Sequence, residues 1–134
     1  RGHGEPKLAA RLPVGLRYAG VAALGGKLFV AGGITTTGTS SIVYEFDPAT
    51  HRVTQFAQLP SPVAHAPLVA VDGSLYLIGG DGSSSIVRID AAGNVQTAGH
   101  LPQALANAAA IASGRSIYVF GGDGSSAVLR ITPR

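Results

Sequence analysis

Three side chains are missing from this sequence altogether: it has no Cys, no Met and no Trp. Without Cys there is neither a disulfide framework nor a thiolate metal site, and the compartment is left open, because a cysteine-free chain suits either redox state. Without Met the chain starts without its initiator, as a processed product, a fragment or an engineered chain does. Charge is scarce as well, at 13% of residues with only seven carboxylates. No paired acid and base can be picked from so few, and no Ser, His and Asp set can be assembled, so the reading is of a protein that is not an enzyme and needs no cofactor. Long apolar runs are also lacking. Lys27 interrupts the stretch from Ala19 to Ala31 and Arg115 the one from Leu105 to Phe120, which excludes a membrane-spanning segment.

What is present is β-like. The 134 residues suffice for one domain with an apolar core, and 46% hydrophobic residues with 19 glycines describe a chain of short apolar runs punctuated by loops. The formal charge of +3 does not imply nucleic acid as a partner. Lys7, Arg17, Lys27, Arg52, Arg88, Arg115 and Arg130 are scattered singly, without interleaved aromatics.

Self-similarity organises the chain. The segment from Leu12 to Gly33, "LPVGLRYAGVAALGGKLFVAGG", aligns without a gap on Leu59 to Gly80 and on Leu101 to Gly122. "SIVYEFD", "SIVRID" and "AVLRIT" correspond further on. Such a period marks stacked supersecondary modules. Runs such as "KLFVA", "SLYLI" and "SIYVF", bounded by glycine turns, read as strands near 19–24, 27–31, 42–46 and 52–57 of the first module. The alanine-rich segment 102–112 favours helix locally, but its alignment with two β-patterned segments overrides that propensity.

The Leu-Pro starts, the apolar runs ending in Gly32-Gly33, Gly79-Gly80 and Gly121-Gly122, and "YEFDPATHRV" at 44–53 resemble a kelch repeat, the blade of a β-propeller. The resemblance covers nearly the whole chain and departs from the family where Val53 and Val95 replace the Trp of the outer strand. It implies an all-β fold of four-stranded antiparallel blades, with residues 12–58 as blade one, 59–100 as blade two and 101–134 as the inner strands of blade three. Residues 1–11 are then an outer strand completing the last blade, since "GEPKLAARLP" lies over "GNVQTAGHLP".

Three blades are too few for a ring. The expectation is a two-fold homodimer of six blades, closed in trans by the N-terminal strand, with half of a longer chain or a nine-bladed ring as the alternatives.

The repeated "GGDGSS" lies between strands with no helix behind it, so its glycines are turn residues and not a phosphate cradle; its Asp and Ser are expected to satisfy local backbone donors. "GVAALGGK" has Gly26 where a phosphate loop needs Lys; Gly25-Gly26, Asp72-Gly73 and Gly114-Arg115 are equivalent hairpin turns. No calcium loop follows Asp81-Gly82 or Asp123-Gly124. His3, His51, His65 and His100 lack metal-ligand spacing, with His51 and His100 in turns or loops and His3 in a frayed terminus.

One polar constellation remains. Tyr18, His65 and Asn107 hold the same position of successive modules, where the innermost strand begins at the channel rim, with Arg17 beside them. They are structural hydrogen-bonding residues, or, with Arg17 as the cation, a site for a small polar or anionic ligand. The functional expectation is a self-assembling propeller scaffold and binding module without chemistry of its own; the alternative is a propeller similar to kelch-like sugar-acid mutarotases or glycan-binding modules, with its ligand at the channel mouth.

Overall fold

A computed structural model describes residues 4–133, and His3 lies outside them. Among the described residues every regular element is a strand. The first module contains β1 (Gly20–Leu24), β2 (Lys27–Ala31), a small hairpin of β3 (Ile34–Thr35) and β4 (Gly38–Thr39), β5 (Ile42–Asp47) and β6 (Arg52–Gln58). The second contains β7 (Leu68–Val71), β8 (Ser74–Ile78), β9 (Ser85–Ile89) and β10 (Val95–His100), and the third β11 (Ala109–Ser113), β12 (Ser116–Phe120) and β13 (Val128–Ile131). Apart from the hairpin these form three antiparallel sheets, ordered β1-β2-β5-β6, β7-β8-β9-β10 and β11-β12-β13. The alanine-rich segment contributes β11 and no helix, as the repeat requires.

Turn chemistry sets these elements. At the first hairpin Gly25 and Gly26 have φ of 59° and 79°, and at the second Asp72 and Gly73 have 55° and 80°, the paired left-handed residues that suit right-twisted strands. At the third Gly114 is left-handed at φ 59° and Arg115 is not. His51 sits in the β5–β6 turn at φ 62°, as expected, whereas His100 is the last residue of β10, opposite Ser85. The strand continues there because a bulge at Ala98 lengthens it before the next Leu-Pro. The Asp90 turn that precedes β10 is held by the backbone N–H and side-chain amide of Asn94, which lower the Asp90 pKa.

Sheet register fixes which residues are equivalent. Ala31 faces Val43 and Ile78 faces Ile86, so Val43 corresponds to Ile86 and the shared letters "SIV" in the two modules are one residue out of step. The exact string match is coincidental, and the cross-strand pairing decides.

The sheets stack face to face in chain order, with the innermost strands β1, β7 and β11 adjacent. One apolar core, including Phe29, Val43, Leu68, Leu75 and Ile89, lies between the first two sheets. A second, including Val69, Tyr76, Ile78, Ile117 and Val119, lies between the second and third. The middle sheet is covered on both faces, which is why all of β8 is buried and "LYLI" is continuously apolar, while β1 and β11 alternate between covered and exposed positions. Residues 4–12 form no strand. Residues 7–12 stand over the outer face of the first sheet, whereas the edge expected to receive such a strand, β13, belongs to the sheet at the far end of the stack.

Candidate functional site at the mouth of the inner strands

Tyr18, His65 and Asn107 have φ of 60°, 62° and 64°, a left-handed conformation that is costly for a residue with a Cβ. Backbone pairing imposes it. The N–H of His65 donates to the carbonyl of Tyr18 at 3.0 Å, and that of Asn107 to the carbonyl of His65 at 3.0 Å, linking each module to the one before. Just ahead of each, the carbonyls of Arg17, Ala64 and Ala106 accept from Ile34, Asp81 and Asp123.

The side chains converge on one open pocket of about 420 Å³, lined by the starts of β1, β7 and β11. Nδ1 of His65 lies 2.7 Å from a carboxylate oxygen of Asp81, and the Asn107 amide donates to Asp123 at 2.9 Å. Tyr18 has no such partner, because Ile34 stands where the other modules carry Asp. Its ring lies instead on the imidazole of His65, with centroids 4.2 Å apart and planes tilted by 31°.

Asp81 and Asp123 are therefore members of this site. The backbone donors just after "GGDGSS" are served by serine, with Ser83 Oγ accepting from the Ser85 N–H and Ser125 Oγ from that of Ala127. The assignment of both Asp side chains to local backbone donors is corrected accordingly. The spacing carried the missed signal: His65 to Asp81 and Asn107 to Asp123 are both sixteen residues apart.

Arg17 stands beside Tyr18 at the edge of this arrangement. Its guanidinium is 5.6 Å from the Tyr18 ring centroid, but the residue lines a different surface with Ile34, Thr35 and Thr36, because the Arg17–Ile34 bridge turns it toward the β3–β4 hairpin. Arg17 thus does not line the pocket itself, although its guanidinium lies over the Tyr18 ring that does, and the side chains bonded to His65 and Asn107 are carboxylates. Among the described residues no three His, Asp or Glu side chains gather where they could hold a metal ion.

The glycine pairs are corners of close approach. A Cβ on Gly32 would strike the Val63 carbonyl and one on Gly79 the Leu105 carbonyl, each at the start of the following module. Gly121 has the same φ of 67° as Gly79, yet a Cβ there would meet the Ser125 carbonyl at 3.3 Å and no group of a following module.

A family profile for the Kelch motif matches residues 15–60. Over 76 residues, 57% of this chain, the sequence is 33% identical to Kelch-like protein 40 of Xenopus laevis. Over 55 residues, 41% of the chain, it is 34% identical to Kelch-like protein 40 of Xenopus tropicalis. The matches span 12% and 9% of those proteins, so the chain corresponds to about a tenth of the length of the curated relatives it matches.

Proposed function

The chain is a kelch-repeat protein, and we propose that it is a protein-binding propeller scaffold without chemistry of its own, whose ring of six blades is closed by two copies. Kelch repeats form protein-binding β-propeller modules, and three antiparallel sheets stacked about adjacent inner strands are consistent with propeller blades.

One observation carries the closure. Val21 and Leu28 on the outer face of the first sheet are 66% and 42% exposed, whereas Leu68 and Leu75, their equivalents in the second, are 5% and 0% exposed. On the outer face of the third sheet Ile111, Phe120 and Val128 are 61%, 46% and 57% exposed, whereas Val69, Ile78 and Ile86 are at most 6% exposed. The two ends of the stack thus expose apolar residues at the positions that form the cores between the sheets inside the chain. Two such stacks joined end to end supply six blades under one two-fold axis. Between residues 7–12 and the outer face of the first sheet an apolar cleft of about 700 Å³ stands ready for the side chains of another sheet.

The scaffold reading places partners on the loops around the inner strands, where His65, Asn107, Asp81 and Asp123 are held in fixed, partly exposed positions. A site for an anionic sugar acid there is not favoured, because Arg17 does not line the pocket and the side chains bonded to His65 and Asn107 are carboxylates.

Light scattering on a size-exclusion column tests the closure. One sharp species at twice the 13.5 kDa chain mass supports it, and a monodisperse monomer or a smear of aggregates overturns it.

A further inference from the structure

The two junctions within the chain are built from the same four backbone hydrogen bonds. At the first, Leu59 donates to Ser41, Val63 to Ser40, Gly33 to Val63 and His65 to Tyr18. At the second, Leu101 donates to Ser84, Leu105 to Ser83, Gly80 to Leu105 and Asn107 to His65. Moving this pattern one module onward names the groups of a third junction. The carbonyls of Ser126, Ser125 and Asn107 and the N–H of Gly122 are offered by the third sheet; the N–H groups of Leu12, Leu16 and Tyr18 and the carbonyl of Leu16 are offered by the start of the first module. Among the described residues none of these eight groups has a backbone hydrogen-bond partner.

Each is the complement of another, so we infer that the outer face of the third sheet is a socket for residues 12–18 of a second copy of this chain. This deepens the closure proposed above and rests on it. Leu12 and Leu16 are half-buried, whereas their equivalents Leu59 and Leu101, Val63 and Leu105 are buried, as the socket requires. The open space beside Gly121 fits the same account: the Leu16 carbonyl of the second copy takes the place that Val63 and Leu105 carbonyls take against Gly32 and Gly79.

The segment before Leu12 then continues along β13 as a fourth strand. The register follows from β9 and β10, where Val95, Gln96 and Thr97 face Ile89, Arg88 and Val87, and Gly99 and His100 face Ile86 and Ser85. Transferred to the second copy, Leu8 faces Leu129, Ala9 bulges as Ala98 does, Ala10 faces Val128 and Arg11 faces Ala127. Lys7 falls opposite Arg130, a like-charge pair that opposes the pairing. The strand would remove the open edge of β13 and add backbone bonding at the junction.

Because the chain has no Cys, an engineered pair gives a clean readout. Arg11→Cys and Ala127→Cys in one chain, both at exposed positions, are expected to oxidise to a covalent species of twice the 13.5 kDa chain mass on a non-reducing gel. Arg11→Cys with Val128→Cys, whose side chain leaves the opposite face of the strand, is expected to stay largely reduced. Both proteins are also run on the light-scattering column. A dimer that neither pair bridges leaves six-bladed closure standing and overturns the socket and its register. A bridge within one chain, or a covalent species of three chains, overturns the two-copy occupant. A reduced monomer overturns the socket together with the closure beneath it.

Discussion

Leu28 and Leu75 hold the same place in successive sheets, facing Phe46 and Ile89 respectively, yet Leu75 is fully buried and Leu28 lies open on the outer face of the first sheet. Truncating them separates intrinsic from assembly stability. Leu75→Ala is expected to cost about 2–5 kcal/mol at any protein concentration, by loss of transfer energy and the cavity left. Leu28→Ala is expected to cost a comparable amount in the closed ring and under about 1 kcal/mol where the faces are apart. Denaturant melts at high and low protein concentration check this: the Leu28→Ala deficit should shrink on dilution and the Leu75→Ala deficit should not.

Phe120→Glu places a carboxylate where Ile78 is buried in the preceding module. The residue is almost half exposed in the single chain, so the sheet itself should tolerate the change, while closing the ring over an unpaired charge would cost several kcal/mol. The expected outcome in light scattering is a fall to the single-chain mass of 13.5 kDa with the β-sheet circular dichroism retained.

Lys7→Glu acts in the opposite direction. It turns the like-charge pair of Lys7 with Arg130 into an attractive one, and a cross-strand pair of this kind is worth roughly 0.2–1 kcal/mol. With two junctions per ring, the dissociation constant should fall severalfold at low salt, and the gain should fade as ionic strength rises. Sedimentation equilibrium at two salt concentrations measures both.

At Asn107 two effects can be told apart. Asn107→Ala loses the hydrogen bond to Asp123 and leaves a Cβ at φ 64°, while Asn107→Gly loses the bond but relieves the conformation. The Ala variant should be less stable than the Gly variant by about 1 kcal/mol, reversing the order found at an ordinary strand position. Paired thermal melts decide it.

Much of this arrangement was legible in the sequence, because glycine turns and alternating runs are local signals repeated three times. β2 coincides with its expected span at Lys27–Ala31, and the other strands of the first sheet differ from theirs by one residue at an end. The failures came where a long-range pairing overrode a local resemblance. The "SIV" strings look equivalent, but the β2–β5 and β8–β9 registers set them one residue apart. His100 follows "AG" and reads as loop, but the bulge at Ala98 carries the strand to it. Tyr18, His65 and Asn107 were brought together by offset alone. Neighbourhood in sequence put Arg17 beside Tyr18 but did not show that its backbone is tied to Ile34, and it hid Asp81 and Asp123, whose partners lie across a hairpin.

Amide hydrogen exchange at Tyr18 and Gly122 tests the closure most directly. Within the chain their equivalents His65 and Gly80 donate to neighbouring modules at 3.0 Å and 2.9 Å, while Tyr18 and Gly122 have no backbone acceptor among the described residues. Closure in trans through the socket for residues 12–18 predicts that, at assembly concentrations, the amides of Tyr18 and Gly122 are protected to the same order as those of His65 and Gly80 and lose that protection on dilution. Exchange of Tyr18 and Gly122 at the unprotected rate at every concentration, beside a protected His65 and Gly80, would contradict it.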